Sequence, residues 1–279
     1  MGLELPRERK EKVALAIYDS KPPKEEMEAG KKPAFLTSET MGYPFFVYNS
    51  GRLGPYYIDL RVIPSFPKNF NAILSQLNWL TAHLLSEFSF DIDCIVSTES
   101  AGISWGQSIA SKLKLPFTYA RKKSKDYGTK KIIEGYIPRG AKVLNIDDLV
   151  TTLSSIGNAV HGVRDEGAEV VASEVIFNRG QYTKKDLKDL GAPLSWLIDV
   201  NDFASIGEKR GRIKKEVAQQ ILQYHTDEGI YAKKVVEANT DFIRNHSKRG
   251  SIRAGYEEAY NKTGNENFGS VVKILKKVL

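Results

Sequence analysis

From Ile92 to Val200 the sequence alternates short apolar runs with amphipathic stretches of helical length, and this pattern narrows the fold more than any other feature. The spacing predicts strands at Ile92–Val96, Phe117–Ala120, Lys142–Ile146, Glu169–Phe177 and Leu194–Val200. Helices are expected at Ile103–Leu113 and Ser154–Glu166, the second ending at Gly167. Strands joined by helices of this length run parallel and are covered on both faces, because a parallel pair needs a long crossover. Ligands of such sheets gather at the carboxyl ends of the strands. The loops after Val96, Ala120 and Ile146 are therefore where chemistry is expected.

Outside this core the pattern changes. A short helix is expected over 5–18, and residues 21–33, rich in Pro, Lys and Glu, read as an exposed connector. Residues 45–61 read as extended chain broken by a Ser-Gly turn. Ile73, Leu74, Leu77, Leu80, Leu84 and Leu85 lie at helical spacing between Phe70 and Phe88, so an amphipathic helix is expected there. After Phe203 the alternation stops, and residues 208–279 read as mainly helical. Three linear blocks are expected: 1–42, a helix and connector; 43–204, the α/β domain with an N-terminal hood; and 205–279, a helical extension.

With 41% apolar residues in 279, the chain can bury a full core. No apolar run is long enough to span a bilayer, and the charged start MGLELPRERKEK has no signal-peptide core, so the cytoplasm is the expected location. A single cysteine, Cys94, excludes an internal disulfide framework and a cysteine-based zinc site. Of the net charge of +7, +6 falls on residues 205–279. That asymmetry suits a solvated surface, a rim attracting a polyanionic substrate, or a nucleic-acid surface, of which the last is the least expected.

One stretch carries chemistry by itself. In VLNIDDLVTTLSSI (143–156), an apolar strand leads to Asp147 and Asp148, then Thr151, Thr152, Ser154 and Ser155 at a helix start. Hydroxyls and free backbone N–H groups at a helix start can hold a phosphate. The adjacent carboxylates can accept from ribose hydroxyls or act on a bound magnesium ion through ribose or water. Asp, Ser and Thr are also ordinary turn and capping residues, so the stretch alone leaves both readings open.

This stretch resembles the phosphoribosyl-pyrophosphate motif of the type I phosphoribosyltransferases, and three further segments fit that family in order. NSGRLGPYYIDLR (49–61) resembles the hood segment of orotate phosphoribosyltransferases. YARKKSKDYGTKKIIEG (119–135) resembles their mobile catalytic loop, and STESAGISWG (97–106) their pyrophosphate loop. The resemblance covers roughly 43–203. It implies a mainly parallel sheet flanked by helices, with magnesium as cofactor and orotate plus phosphoribosyl pyrophosphate as substrates. It also implies a homodimer, because the family's catalytic loop commonly reaches the neighbouring subunit's site.

On this resemblance, Lys125, Asp147 and Asp148 are the expected catalytic residues. Phosphoribosyl pyrophosphate would be held by Arg121, Lys122 and Lys125, by Thr151, Thr152, Ser154 and Ser155, and by backbone groups of Ser100, Ala101 and Gly102. Asn49, Ser50, Gly51 and Arg52 would meet the base, with Arg52 or Arg61 suiting a carboxylate. Three positions depart from the family pattern: Leu153 and Ser97 stand where glycine is common, and Tyr127 where a histidine is usual. A Cβ at 153 restricts the backbone conformations that wrap N–H groups around phosphate. These departures leave two alternatives: a phosphoribosyltransferase for a purine or other base, and a non-catalytic regulator that senses phosphoribosyl pyrophosphate and binds nucleic acid through its basic tail.

Overall fold

The computed structural model describes residues 3–89, 91–122 and 132–279. Its contacts divide the chain into two compact units, Met1–Ser20 with Leu60–Phe203, and Lys21–Asp59 with Ala204–Leu279.

The first unit is built on a six-stranded sheet. From edge to edge its strands are Leu194–Asp199, Glu169–Asn178, Lys142–Val150, Cys94–Thr98, Phe117–Ala120 and Ile133–Glu134. All neighbours are parallel except the last pair, where Ile133–Glu134 runs antiparallel to Phe117–Ala120. Every residue of Cys94–Thr98 and nine of the ten in Glu169–Asn178 are buried, which follows from helices on both faces.

Pro67–Glu87 is a helix with proline in its first turn, where a missing N–H costs nothing, and it buries Ile73, Leu77, Leu80 and Leu84. It shares one face of the sheet with Arg7–Tyr18 and Ala101–Leu113, while Ser154–Asp165 covers the other. Tyr18 stacks on Phe203 at 4.2 Å and so ties the N-terminal helix to the end of this unit.

Most expected elements are present within a few residues. The main difference lies in Lys142–Val150, which continues four residues past Ile146, so Asp147 and Asp148 are strand residues and not the start of a loop. Their neighbours explain this, because Asp147 pairs with Val175 and Leu149 with Phe177 on the buried adjacent strand. A seven-residue helix, Lys184–Leu190, was not expected; a reciprocal capping box between Thr183 and Asp186 starts it.

The second unit contains a hairpin of Phe46–Val47 with Leu53–Gly54 and a second small sheet of Phe35–Thr37 with Tyr56–Ile58. To these it adds helices Lys215–Thr226, Glu228–Ala238, Thr240–Asn245, Arg249–Thr263 and Glu266–Val278. Phe45 and Leu53 share a buried cluster with Ile243, Ile252, Tyr256 and Val271. The grouping cuts across the linear blocks 1–42, 43–204 and 205–279, since residues 43–59 stand with the C-terminal helices through this common core. Among the described residues, no helix is long and apolar enough to cross a membrane.

Candidate functional site

Three strands of the parallel sheet present their carboxyl ends on the same side. The strand register sets Ser97 beside Ile146 and Thr98 beside Ala120, so Cys94–Thr98 and Phe117–Ala120 end at adjacent positions, while Lys142–Val150 runs on past them and carries Asp147 and Asp148 there. Glu99 links the ends of Cys94–Thr98 and Phe117–Ala120. Its backbone N–H donates to the Ala120 carbonyl (2.9 Å), and its carboxylate accepts from the Lys122 N–H (2.7 Å). Glu99 and Ser100 are joined by a cis peptide bond. Arg121 donates to Glu134 at 3.1 Å, a partner recruited by the short antiparallel edge strand. Lys125, Tyr127 and Gly128 lie outside the described residues.

The pyrophosphate-loop residues stand against the acid pair. A Cβ added at Gly102 would lie 2.9 Å from Asp147 Oδ1 and 3.0 Å from the Ile146 carbonyl oxygen, so glycine lets the start of helix Ala101–Leu113 approach the strand. Asp147 is buried and accepts from the Asp148 N–H at 2.9 Å. Burial first, then the neighbouring charge of Asp148, pushes its carboxyl well above the usual carboxylate range. Burial also raises Asp148, opposed by its hydrogen bonds and by the charge of Arg61. Two carboxyls this close titrate as a pair. Asp148 is the less buried of the two and is the one that can meet a ligand.

The phosphate-loop residues also come together. A small hollow is lined by the residues from Leu149 to Ile156, including Thr151, Thr152, Ser154 and Ser155. Ser154 and Ser155 are exposed at the start of helix Ser154–Asp165, and the Thr152 and Ser154 hydroxyls are 3.0 Å apart. Leu153, just before the helix, has φ +63°, in the left-handed region normally reserved for glycine. The loop thus takes the backbone path that the sequence cast in doubt. The Leu153 side chain, 7% exposed, turns into the core that holds Ile156, Val160 and Val175.

The departure at Ser97 is accommodated in another way. Ser97 is fully buried, and a Cβ at Gly106 would lie 1.9 Å from its hydroxyl. The serine occupies space that glycine on the facing helix leaves open.

The expected base-binding residues belong to the second unit. Asn49 and Ser50 are exposed at the hairpin turn, whereas Gly51 is buried at φ +77°. The carboxylate that Arg52 meets in the structure is Glu228, at 2.9 Å. As for a metal, no group of three or more His, Cys, Asp or Glu side chains forms a cage among the described residues. Two adjacent carboxyls, one accessible, suit a hydrated magnesium ion that arrives on a polyphosphate and is held through water or ribose.

Sheet, loops and acid pair define a phosphoribosyltransferase architecture, and residues 68–194 match the phosphoribosyl transferase domain family. The chain belongs to the phosphoribosyltransferase family, and relatives within it are orotate phosphoribosyltransferases. That of Staphylothermus marinus is 35% identical over 175 residues, covering 63% of this chain and 83% of the relative. That of Staphylococcus haemolyticus is 30% identical over 180 residues, covering 64% and 87%. Two solved structures share the fold. Leishmania donovani UMP synthase has a TM-score of 0.61 at 22% identity, and the match covers 77% of this chain but only 42% of that one. The Aeropyrum pernix orotate phosphoribosyltransferase has a TM-score of 0.53 at 24% identity, with 71% and 99% covered.

Proposed function

We propose that the protein is an orotate phosphoribosyltransferase, converting orotate and phosphoribosyl pyrophosphate to orotidine 5'-monophosphate and pyrophosphate in pyrimidine biosynthesis. The observation that carries this is the acid pair set against Gly102 at the carboxyl end of the sheet, followed along the same strand by the loop of Thr151 to Ser155, in a chain whose relatives of that name match over most of their length.

The base nitrogen attacks C1 of the ribose, and the C1–oxygen bond to pyrophosphate breaks through an oxocarbenium-like transition state. Negative charge grows on the leaving group, so aligned donors and cations stabilise the transition state more than the ground state. Backbone groups of Ser100, Ala101 and Gly102, with Arg121, Lys122 and Lys125, meet the pyrophosphate. Thr151, Thr152, Ser154 and Ser155 hold the 5-phosphate at the start of their helix, where N–H groups and the helix dipole favour an anion. Asp148 accepts from the ribose hydroxyls, and Asp147 fixes it by accepting from its backbone N–H. Magnesium, when bound, adds positive charge to the pyrophosphate. Asn49 and Ser50 read the edge of the base. The working form is a cytoplasmic homodimer.

Steady-state assays with orotate, hypoxanthine, adenine and uracil test the reading. Orotate is expected to turn over fastest, and faster turnover of a purine would refute the pyrimidine assignment. Lys125→Ala is expected to lower kcat and leave thermal stability unchanged.

A further inference from the structure

The turn proposed to read the base is fixed in place by the C-terminal helices. Gly51 and Gly255 meet backbone to backbone. A Cβ at Gly51 would lie 1.9 Å from the Ser251 carbonyl oxygen, and one at Gly255 would lie 2.2 Å from that of Ser50. No side chain can be inserted on either side, so the turn is seated directly on helix Arg249–Thr263. The next residue, Arg52, pairs with Glu228 at 2.9 Å, with side chains 22% and 12% exposed. The Leu53 N–H donates to the buried Tyr256 hydroxyl at 3.0 Å. Three consecutive residues, 51 to 53, are thus held by two helices of the extension, while Asn49 and Ser50 remain exposed beside them.

We infer that Glu228 and Tyr256 are positioning residues for orotate recognition, and that Arg52 is a strut bound to Glu228 and not a ligand of the base. The guanidinium is engaged on two sides, donating from Nη1 to Glu228 and from Nε to the Ser50 hydroxyl at 3.4 Å, so its orientation is set within the second unit. The extension then acts as a template that sets how the turn presents its exposed residues. This deepens the reading given above, because it rests on residues 49–50 reading the base.

The test uses full-length protein and separates KM for orotate from KM for phosphoribosyl pyrophosphate. Glu228→Gln and Tyr256→Phe keep shape and remove, respectively, the charge and the acceptor. Each is expected to raise KM for orotate by about three- to tenfold, the size of one weakened buried hydrogen bond, and to leave KM for phosphoribosyl pyrophosphate within about twofold. Arg52→Glu is expected to raise KM for orotate further, and Arg52→Glu with Glu228→Arg to recover most of the loss. A lower KM for orotate in Glu228→Gln would mean that freed Arg52 binds the base directly, and the strut role falls. Should the charge-swapped pair fail to fold, the two shape-preserving variants still decide the matter. Wild-type protein that turns over a purine and not orotate overturns the proposed function itself. Orotate turnover with unaffected KM values in the variants overturns the positioning role alone.

Discussion

Replacing Leu153 tests whether the phosphate loop keeps its glycine-like path in solution. At φ +63° a residue with a Cβ carries about 1–2 kcal/mol of strain. The leucine offsets this by burying its side chain, at 7% exposure, in the core beneath the helix. Leu153→Ala keeps the strain and loses the packing, which should destabilise by about 2–4 kcal/mol. Leu153→Gly loses the same packing and the strain together, but adds about 0.5–1 kcal/mol of unfolded-state entropy. The glycine variant should therefore be as stable as the alanine variant or more so, by up to about 1.5 kcal/mol. At an ordinary helical position the order is reversed by about 0.5–1 kcal/mol. Urea unfolding of the three proteins gives the order from the midpoints at a common slope. An alanine variant more stable than the glycine variant would refute the left-handed assignment. Calorimetric affinity for phosphoribosyl pyrophosphate should remain close to wild type in Leu153→Gly, because the loop backbone is unchanged.

Gly106→Ala would drive a Cβ to 1.9 Å from the Ser97 hydroxyl and should cost about 1–3 kcal/mol in thermal or urea unfolding. Ser97→Gly in the same chain should recover most of that loss, and simple additivity would refute the contact. Glu174 is fully buried with Thr81 as a hydrogen-bond partner at 2.7 Å, and burial raises its pKa to about 8. The folded state therefore holds a proton that the unfolded state releases near pH 4.5, the ordinary range of a glutamate. Stability contributed by that proton is full below the unfolded pKa and is lost as pH rises to about 8, so Glu174→Gln should flatten the fall in urea stability across that window. Asp148→Asn should lower kcat/KM for phosphoribosyl pyrophosphate by about tenfold or more, with far-UV circular dichroism unchanged, and a wild-type value would remove Asp148 from ribose binding.

The sheet was legible because its strands are continuous apolar runs bounded by turns, and buried parallel strands require that pattern. The extent of Lys142–Val150 was not, because Asp147 and Asp148 read as the end of a strand by residue type. Asp147 is packed against Gly102, and the charge of Arg61 acts on Asp148, and no local window contains either. The edge strand Ile133–Glu134 is two residues long and carries no periodicity to detect. The seat of the hood turn was hidden for a related reason. It joins Gly51 to Gly255 across 204 positions, and a contact between two glycines leaves no apolar pattern in the sequence.

The positions that depart from the family pattern show what a glycine in such a loop supplies. It supplies either a left-handed backbone or empty space, and the two needs are separable. At Leu153 the need is conformational, and the chain keeps the conformation by burying the side chain that strains it. At Ser97 the need is spatial, and it is met by glycine at 106 on the facing helix. Substitution of a motif glycine therefore does not by itself remove the geometry the motif encodes. What matters is whether a neighbouring residue has taken over the constraint, and here both neighbours can be named. Gly102, Gly51 and Gly255 stand where the other side of the contact includes backbone, the carbonyls of Ile146, Ser251 and Ser50 respectively. Backbone cannot be exchanged for a smaller side chain, so no compensating partner exists for these three, and Gly51 and Gly255, with the shortest distances, are the ones whose replacement this chain should tolerate least.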